Sequence, residues 1–311
     1  MLSTARSELY EATARGLQAD AKVLPSVWLY DARGSELYEE ITRLPEYYLP
    51  RREAEILEAR APEIASRTRA GTLVELGGGG AKNTRFLVDA LDSLERFVPF
   101  DVSEQMLRAS VSTYPGISVE PIVGDFERDL DELPGGDRRL IALLGSTIGN
   151  LAPARRSRLL EALARALGAE DALLLGLDLV KDVARLEAAY NDAAGVTEAF
   201  VRNALTAANA ELGAGFDQRR FAYDARWDPG HEWMDIGLRA RETHTVAIPG
   251  LELDVPFAEG EPLRVEISVK FRRERFEGEA RAAGLALESW WTDRAGDFAV
   301  ALFQATREEQ P

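Results

Sequence analysis

The chain has 311 residues, 46% hydrophobic and 29% charged, with a formal net charge of -16 and no cysteine. That composition suits a folded globular protein of about two domains, and it excludes disulfides and thiolate metal sites. The negative surface disfavours a nucleic acid or an anionic membrane as partner. With His231 and His244 as the only histidines, no metal centre is expected. Met1 to Gly16 lack the apolar run of a signal peptide. No apolar stretch reaches the ~18 residues that span a bilayer. The lack of disulfides fits a reducing cytoplasm, and a cytoplasmic monomer is expected.

The first ~50 residues read as helical and mixed. From Arg51, RREAEILEARAPEIASRTRAG has the spacing of an amphipathic helix, with Gly71 as its stop. A strand-turn-helix alternation follows. TLVEL (Thr72 to Leu76) reads as a strand, TRFLVDALDSL (Thr84 to Leu94) as a helix, and RFVPF (Arg96 to Phe100) as a strand closed by Asp101. SEQMLRASVSTY (Ser103 to Tyr114) reads as a helix with a good N-cap. SVEPIVG (Ser118 to Gly124) and RRLIALLG (Arg138 to Gly145) are the third and fourth strands, and Ala154 to Leu167 is a periodic helix. DALLLGLDLV (Asp171 to Val180) is a fifth, continuously apolar strand, as expected of a parallel sheet covered on both faces. Together these argue for a doubly wound α/β domain.

After Lys181 the pattern changes. Residues ~185–212 read as helix and residues ~218–270 as antiparallel strands. ALESWWTD and DFAVALFQA form a terminal hairpin that adds edge strands to the sheet. The α/β core is thus interrupted by a second α+β unit. The expected division is 1–51 with 181–270, and 52–180 with 271–311.

Gly77 to Gly80 fall directly after a strand and before a helix, where glycines let the backbone turn sharply and approach a ligand. Such a turn alone is also compatible with simple packing. Asp101 stands where an acid can hold ribose hydroxyls, or can merely cap a helix. A dinucleotide dehydrogenase competes, but its fingerprint wants a third glycine where Lys82 stands. Gly124-Asp125-Phe126 suits an adenine, with a carboxylate for the amino group and a ring alongside.

LPEYYLPRREAEIL, LVELGGGGAKNTRFLVDAL, VPFDVS, GDFERDL, LLGSTIGN, LLLGLDLVKD, AYNDAAGVTEAF, EISVKF and WWTDRAGDFAVAL occur in order from Leu44 to Leu302, within a match that begins at about Trp28. This series resembles the ergothioneine-pathway histidine Nα-methyltransferases. The resemblance implies a class I methyltransferase-like doubly wound sheet with a second, α+β substrate-binding domain. It also implies S-adenosylmethionine as cofactor, and L-histidine as the acceptor converted to Nα,Nα,Nα-trimethylhistidine. Residue by residue, it implies that Gly77, Gly79, Lys82 and Asp101 hold the donor backbone and ribose, and that Asp125 and Phe126 hold the adenine. It assigns Asn150 and Tyr190 to the substrate carboxylate and Tyr30 and Gly145 to the amine. Tyr47, Glu266 and Ser268 go to the imidazole, and Thr197 and Tyr38 to the pocket wall.

Plainer roles exist for several. Asn150 is placed to cap the next helix, Tyr190 to fill a core, and Glu266 with Ser268 to line a solvated strand face. Trp290 and Trp291 read as packing, and Arg272 to Arg275 as solvated. The sequence departs from the family at the GGGG turn, at Asn83 where a lysine is usual, and at Ile236 where a methionine is common. Methylation of another amino acid or amine by the same fold is the alternative, and a non-catalytic donor-binding protein the remaining one.

Overall fold

The computed structural model describes residues 2–78, 83–104, 107, 116–136 and 138–306. Within them the chain forms two compact units, one of Met1–Tyr48 and Lys181–Ser268, the other of Leu49–Val180 and Val269–Pro311.

The smaller unit begins with helix α1 (Leu2–Gln18), strand β1 (Lys22–Val23), a 3-10 turn over Ser26–Leu29 and helix α2 (Ala32–Ile41). The Trp28 indole donates to Thr13 Oγ1 at 2.9 Å, so both are buried with their polar atoms satisfied. Asp31 starts α2. Its Oδ1 accepts the Gly34 N–H and the Asn203 amide, each at 2.7 Å.

The larger unit opens with α3 (Leu49–Thr68), whose Leu49, Ile56, Leu57, Ala61 and Ile64 are buried at helical spacing. It ends at Thr68 rather than at Gly71, because Arg69 takes the left-handed conformation (φ 47°). Gly71 already belongs to the sheet margin, its N–H donating to Arg138 O at 3.1 Å. There follow β2 (Thr72–Leu76), α4 (Thr84–Ala90), β3 (Arg96–Asp101), β4 (Ser118–Val119), β5 (Ile122–Val123), β6 (Arg139–Leu143), α5 (Pro153–Ala166) and β7 (Ala172–Asp178). The expected helix over Ser103 to Tyr114 lies mostly outside the described residues. The expected strand SVEPIVG is two dipeptides, each parallel to β3. Pro121 has no N–H and interrupts the ladder between them.

The smaller unit resumes with α6 (Val183–Tyr190) and α7 (Val196–Leu212). The single helix expected over ~185–212 is therefore two. Gly195 turns left-handed (φ 72°), and Asp192 caps α7 by accepting the Val196 and Thr197 N–H groups at 2.8 Å each. Strands β8 (Phe221–Asp228), β9 (Trp233–Ala240), β10 (His244–Ile248), β11 (Leu253–Phe257) and β12 (Pro262–Val269) come next. They form a sheet of order β1-β12-β9-β8 and a separate β10-β11 pair.

Helix α8 (Arg273–Ala282) and the hairpin β13 (Leu285–Thr292) and β14 (Phe298–Ala305) complete the larger unit. Arg272 to Arg275 are exposed at the start of α8. The main sheet runs β13-β14-β7-β6-β2-β3-β4, with β5 also on β3. Its centre is parallel and fully buried, and β14 joins antiparallel to β7. The strand order turns back between β2 and β6. In open α/β sheets, ligands bind outside the carboxyl ends of the strands at such a switch point. Two ion pairs are sealed into this unit: Lys270 with Asp178 at 2.7 Å, neither accessible to solvent, and Arg139 with Asp171 at 2.6 Å.

Candidate functional site

In the larger unit Gly77, Asp101, Asp125 and Phe126, of the expected donor residues, end or follow strands β2, β3 and β5 at the carboxyl edge of the sheet. At the end of β2, Gly77 has φ 72°, and among the described residues no heavy atom beyond its chain neighbours lies within 4 Å of where a Cβ would stand. The left-handed turn therefore exposes bare backbone. The Gly77 and Gly78 N–H groups both donate to Phe100 O, at 2.8 and 3.2 Å, which pins the turn to the end of β3. Gly79 and Lys82 lie outside the described residues. Asp101 follows Phe100, and its Oδ1 accepts the Ser103 N–H at 2.8 Å.

Gly124 N–H donates to Asp101 O at 3.0 Å, so Gly124-Asp125-Phe126 is held beside Asp101. A Cβ on Gly124 would lie 2.7 Å from the Phe100 ring, so only glycine lets the loop approach this closely. Asp125 is oriented by the Glu127 N–H, donated to Oδ1 at 2.9 Å, while its own N–H donates to Asp129 Oδ2 at 2.8 Å. A carboxylate at the end of β3 and a second one loop further on match a ribose diol and an adenine amino group. These features of the chain fit the nucleoside part of S-adenosylmethionine.

After β6, Gly145 turns left-handed (φ 69°) and donates its N–H to Glu53 Oε1 at 2.7 Å. Asn150 ends the 3-10 turn Thr147–Asn150 and is half-buried. The N-cap position of α5 is Ala152, two residues further on.

Three further residues at this edge were not singled out as ligand-facing from the sequence. Glu53 is buried on the apolar face of α3. Asn83, the first described residue after the glycine turn, donates to Glu53 Oε2 at 3.0 Å and to Pro50 O at 3.0 Å. Glu75 is buried in β2 and accepts the Thr84 hydroxyl. The available signal was an acid in an otherwise apolar stripe: Glu53 follows Leu49 by four and precedes Ile56 and Leu57 by three and four.

In the smaller unit the expected acceptor residues converge from the 3-10 turn, α2, α6, α7 and β12. The Tyr30 ring packs edge-on against Tyr38 (centroids 6.1 Å) and Phe200 (5.5 Å), and Tyr47 against Tyr190 (6.1 Å). Glu266 and Ser268 lie two apart on one face of β12. The Tyr30 hydroxyl donates to Glu266 Oε1 at 3.4 Å, a long bond, and the Tyr190 hydroxyl donates to Ser268 Oγ at 2.8 Å. Phe200, a wall of the cluster, was missed because it reads as an ordinary helical core residue. Thr197 lies one turn before it, on the first turn of α7. Ile236, on β9, is fully buried in the core of this unit.

The electrostatics fix protonation states. Tyr30 keeps 41% of its surface open to solvent, yet protein crowds its hydroxyl end. Desolvation first, and then the negative charge of Glu266, hold this phenol well above its ordinary pKa. Desolvation does the same for the buried Tyr47. Both hydroxyls therefore stay protonated and serve as hydrogen-bonding groups, not as bases.

A doubly wound sheet with a glycine turn at its switch point and carboxylates at the end of β3 and in the loop after β5 defines a nucleoside-binding α/β enzyme, and the family match makes it a methyltransferase. The chain belongs to the family described as histidine-specific methyltransferase, SAM-dependent, which matches residues 9–305. It is similar to the histidine N-alpha-methyltransferases of Mycolicibacterium smegmatis (49% identical) and Mycobacterium tuberculosis (50%), each over 294 residues that cover 92% of both chains. It is also similar to ergothioneine biosynthesis protein 1 of Neurospora crassa, 30% identical over 86% of this chain and 32% of that one. The cofactor is S-adenosylmethionine and the acceptor is a small molecule, an amino acid.

Proposed function

We propose that this chain methylates the α-amino group of L-histidine three times, giving Nα,Nα,Nα-trimethylhistidine for ergothioneine biosynthesis. The observation that carries the acceptor's identity is the Glu266–Ser268 pair on one strand face, ringed by Tyr30, Tyr47 and Tyr190. An imidazole offers one N–H donor and one acceptor nitrogen. A carboxylate with a neighbouring hydroxyl complements that pattern, whereas an apolar ring would leave both buried groups unpaired. The close similarity to two histidine N-alpha-methyltransferases supports the same acceptor.

On this reading the larger unit holds the donor through Gly77, Gly79, Lys82, Asp101, Asp125 and Phe126. The donor supplies a methyl group on a positively charged sulfur that leaves as a neutral thioether. In-line displacement of that kind needs alignment and exclusion of water, not a metal or a covalent nucleophile. The smaller unit binds the acceptor. Glu266 accepts the imidazole N–H, Ser268 donates to the other ring nitrogen, and Tyr47 packs on the ring. Tyr190 donates to the carboxylate by turning its hydroxyl proton from Ser268 Oγ to the substrate, which frees Ser268 for the ring. For Asn150, of the larger unit, the family resemblance implies a carboxylate contact. Tyr38 and Thr197 form the wall.

The nitrogen must present a lone pair, and an α-amine of pKa ~8 is only partly neutral at pH 7. Tyr30, protonated, accepts an amine N–H through its phenol oxygen while donating to Glu266, and so orients the lone pair. Gly145 contributes backbone near the amine, where a side chain would obstruct. The displaced proton passes to solvent. A nucleic-acid partner is disfavoured by the net charge of -16.

The test is to incubate purified protein with S-adenosylmethionine and each of the twenty amino acids separately, and to read products by mass. The expected result is one, two and three methyl increments on histidine alone. Methylation of another amino acid with histidine untouched contradicts the acceptor assignment.

A further inference from the structure

A carboxylate out of water is unstable as an anion unless hydrogen bonds or a cation compensate it. Glu53 is 3% exposed on α3. Each of its oxygens accepts one bond: Oε1 from Gly145 N–H at 2.7 Å and Oε2 from the Asn83 amide at 3.0 Å. The first partner closes β6, and the second stands at the entry to α4, beyond the glycine turn. A side chain at Gly176, in β7, would collide with Oε1, so this strand leaves space for the carboxylate. Glu53 therefore ties together two of the turns at the carboxyl edge of the sheet.

A second acid lies close by. Glu75 accepts the Thr84 hydroxyl on Oε1, while its Oε2 is buried and, among the described residues, without a hydrogen-bond partner. Burial pushes the Glu53 carboxyl up to about 7 and that of Glu75 up to about 8, the latter raised further by the charges of Glu53 and Asp101. The elements packed on α3 offer no compensating charge among the described residues. Asp178 of β7 is paired with Lys270, Arg85 and Asp89 of α4 pair with each other in solvent, Glu288 of β13 is exposed, and β14 has no ionisable side chain. On α3 itself, Arg52 faces Glu55, Asp293 and Asp297. Two buried acids thus stand at the strand ends where the proposed function brings a cation.

We propose that Glu53 is a positioning residue for the methyl donor: it locks the Gly145 and Asn83 segments in place and supplies the negative charge that favours a sulfonium over a neutral thioether. This rests on the donor assignment made above. It gives the protein a way to prefer the charged donor to its uncharged by-product, which differ chiefly by that sulfonium charge. No chemical step passes through Glu53. Glu75, beneath Gly78 and itself mostly protonated near neutral pH, contributes little charge there.

The test is isothermal titration of the full chain and of Glu53→Gln with S-adenosylmethionine and with S-adenosylhomocysteine, above neutral pH, without acceptor. Glutamine keeps the shape and removes the charge. The expected result is affinity for the sulfonium falling about tenfold, with thioether affinity changed little. Equal losses for both ligands, or no loss for either, overturn the proposal. Failure of the unaltered protein to bind either ligand overturns instead the donor assignment. Should Glu53→Gln not fold, heats for Glu75→Gln, which leaves Glu53 as the one raised acid of the pair, in two buffers of different ionisation enthalpy near pH 7 decide. More protons released on binding the sulfonium than the thioether support Glu53's role, and equal release overturns it.

Discussion

Removing Glu266 exposes how much of the acceptor preference rests on one carboxylate. Glu266 is half-buried on β12, and its Oε1 is 3.4 Å from the Tyr30 hydroxyl. That long bond uses little of the capacity of a group with about four lone-pair positions. A charge-assisted bond from an imidazole N–H to this carboxylate contributes about 1.5–3 kcal/mol. At 1.36 kcal/mol per decade, Glu266→Ala lowers kcat/KM for histidine by about 13- to 160-fold. Glu266→Gln keeps an acceptor oxygen without the charge. It loses roughly half of that free energy, since charged hydrogen bonds are about twice as strong as neutral ones. The assay is initial-rate methyl transfer to histidine, and to an analogue whose ring lacks an N–H, with both variants. Histidine kinetics unchanged by Glu266→Ala, or losses identical for histidine and the analogue, refute the assignment.

Other changes probe the framework. Lys270→Met takes the ammonium away from the buried Asp178 carboxylate, so unfolding free energy in urea falls by about 3–5 kcal/mol; adding Asp178→Asn recovers a large part of the loss. Because the Tyr30 phenol is held well above its ordinary pKa, its deprotonation contributes no alkaline limb, and Tyr30→Phe lowers the rate without altering the shape of the pH profile up to about pH 10. Glu75 titrates near 8 when folded and near the ordinary carboxylate value when unfolded. The native state therefore binds the extra proton between those values, and stability falls as pH rises through that window. Glu75→Gln accordingly raises the melting temperature at pH 8 relative to the unaltered protein, with the difference vanishing toward about pH 4.

The central sheet was legible because its strands are buried on both faces. A strand without a solvent side reads as a continuous apolar run, as Ala172–Asp178 does. Gly77 and Asp101 were legible because strand-end positions are set by local order: a strand, a turn, then the next strand's last residue. The breaks were harder. Asn191 to Gly195 divides a helical pattern by a capping aspartate and a left-handed glycine, both of which also occur inside longer helices. Pro121 split an expected strand through a missing donor, not through any change in hydrophobicity. The acceptor cluster joins residues 30, 38, 47, 190, 266 and 268, which no periodicity relates, so resemblance alone suggested them. Glu53 left one trace, an acid in an apolar helical stripe, but its partners were not legible; only folding brings Gly145 and Asn83 to it.

The most direct measurement follows the methyl groups themselves. Histidine is incubated with S-adenosylmethionine carrying an isotopically labelled methyl, and the product is examined by NMR. The account predicts three equivalent labelled methyls on the α-nitrogen and an unmodified imidazole. Label on a ring nitrogen, or histidine recovered unlabelled with active donor present, contradicts it.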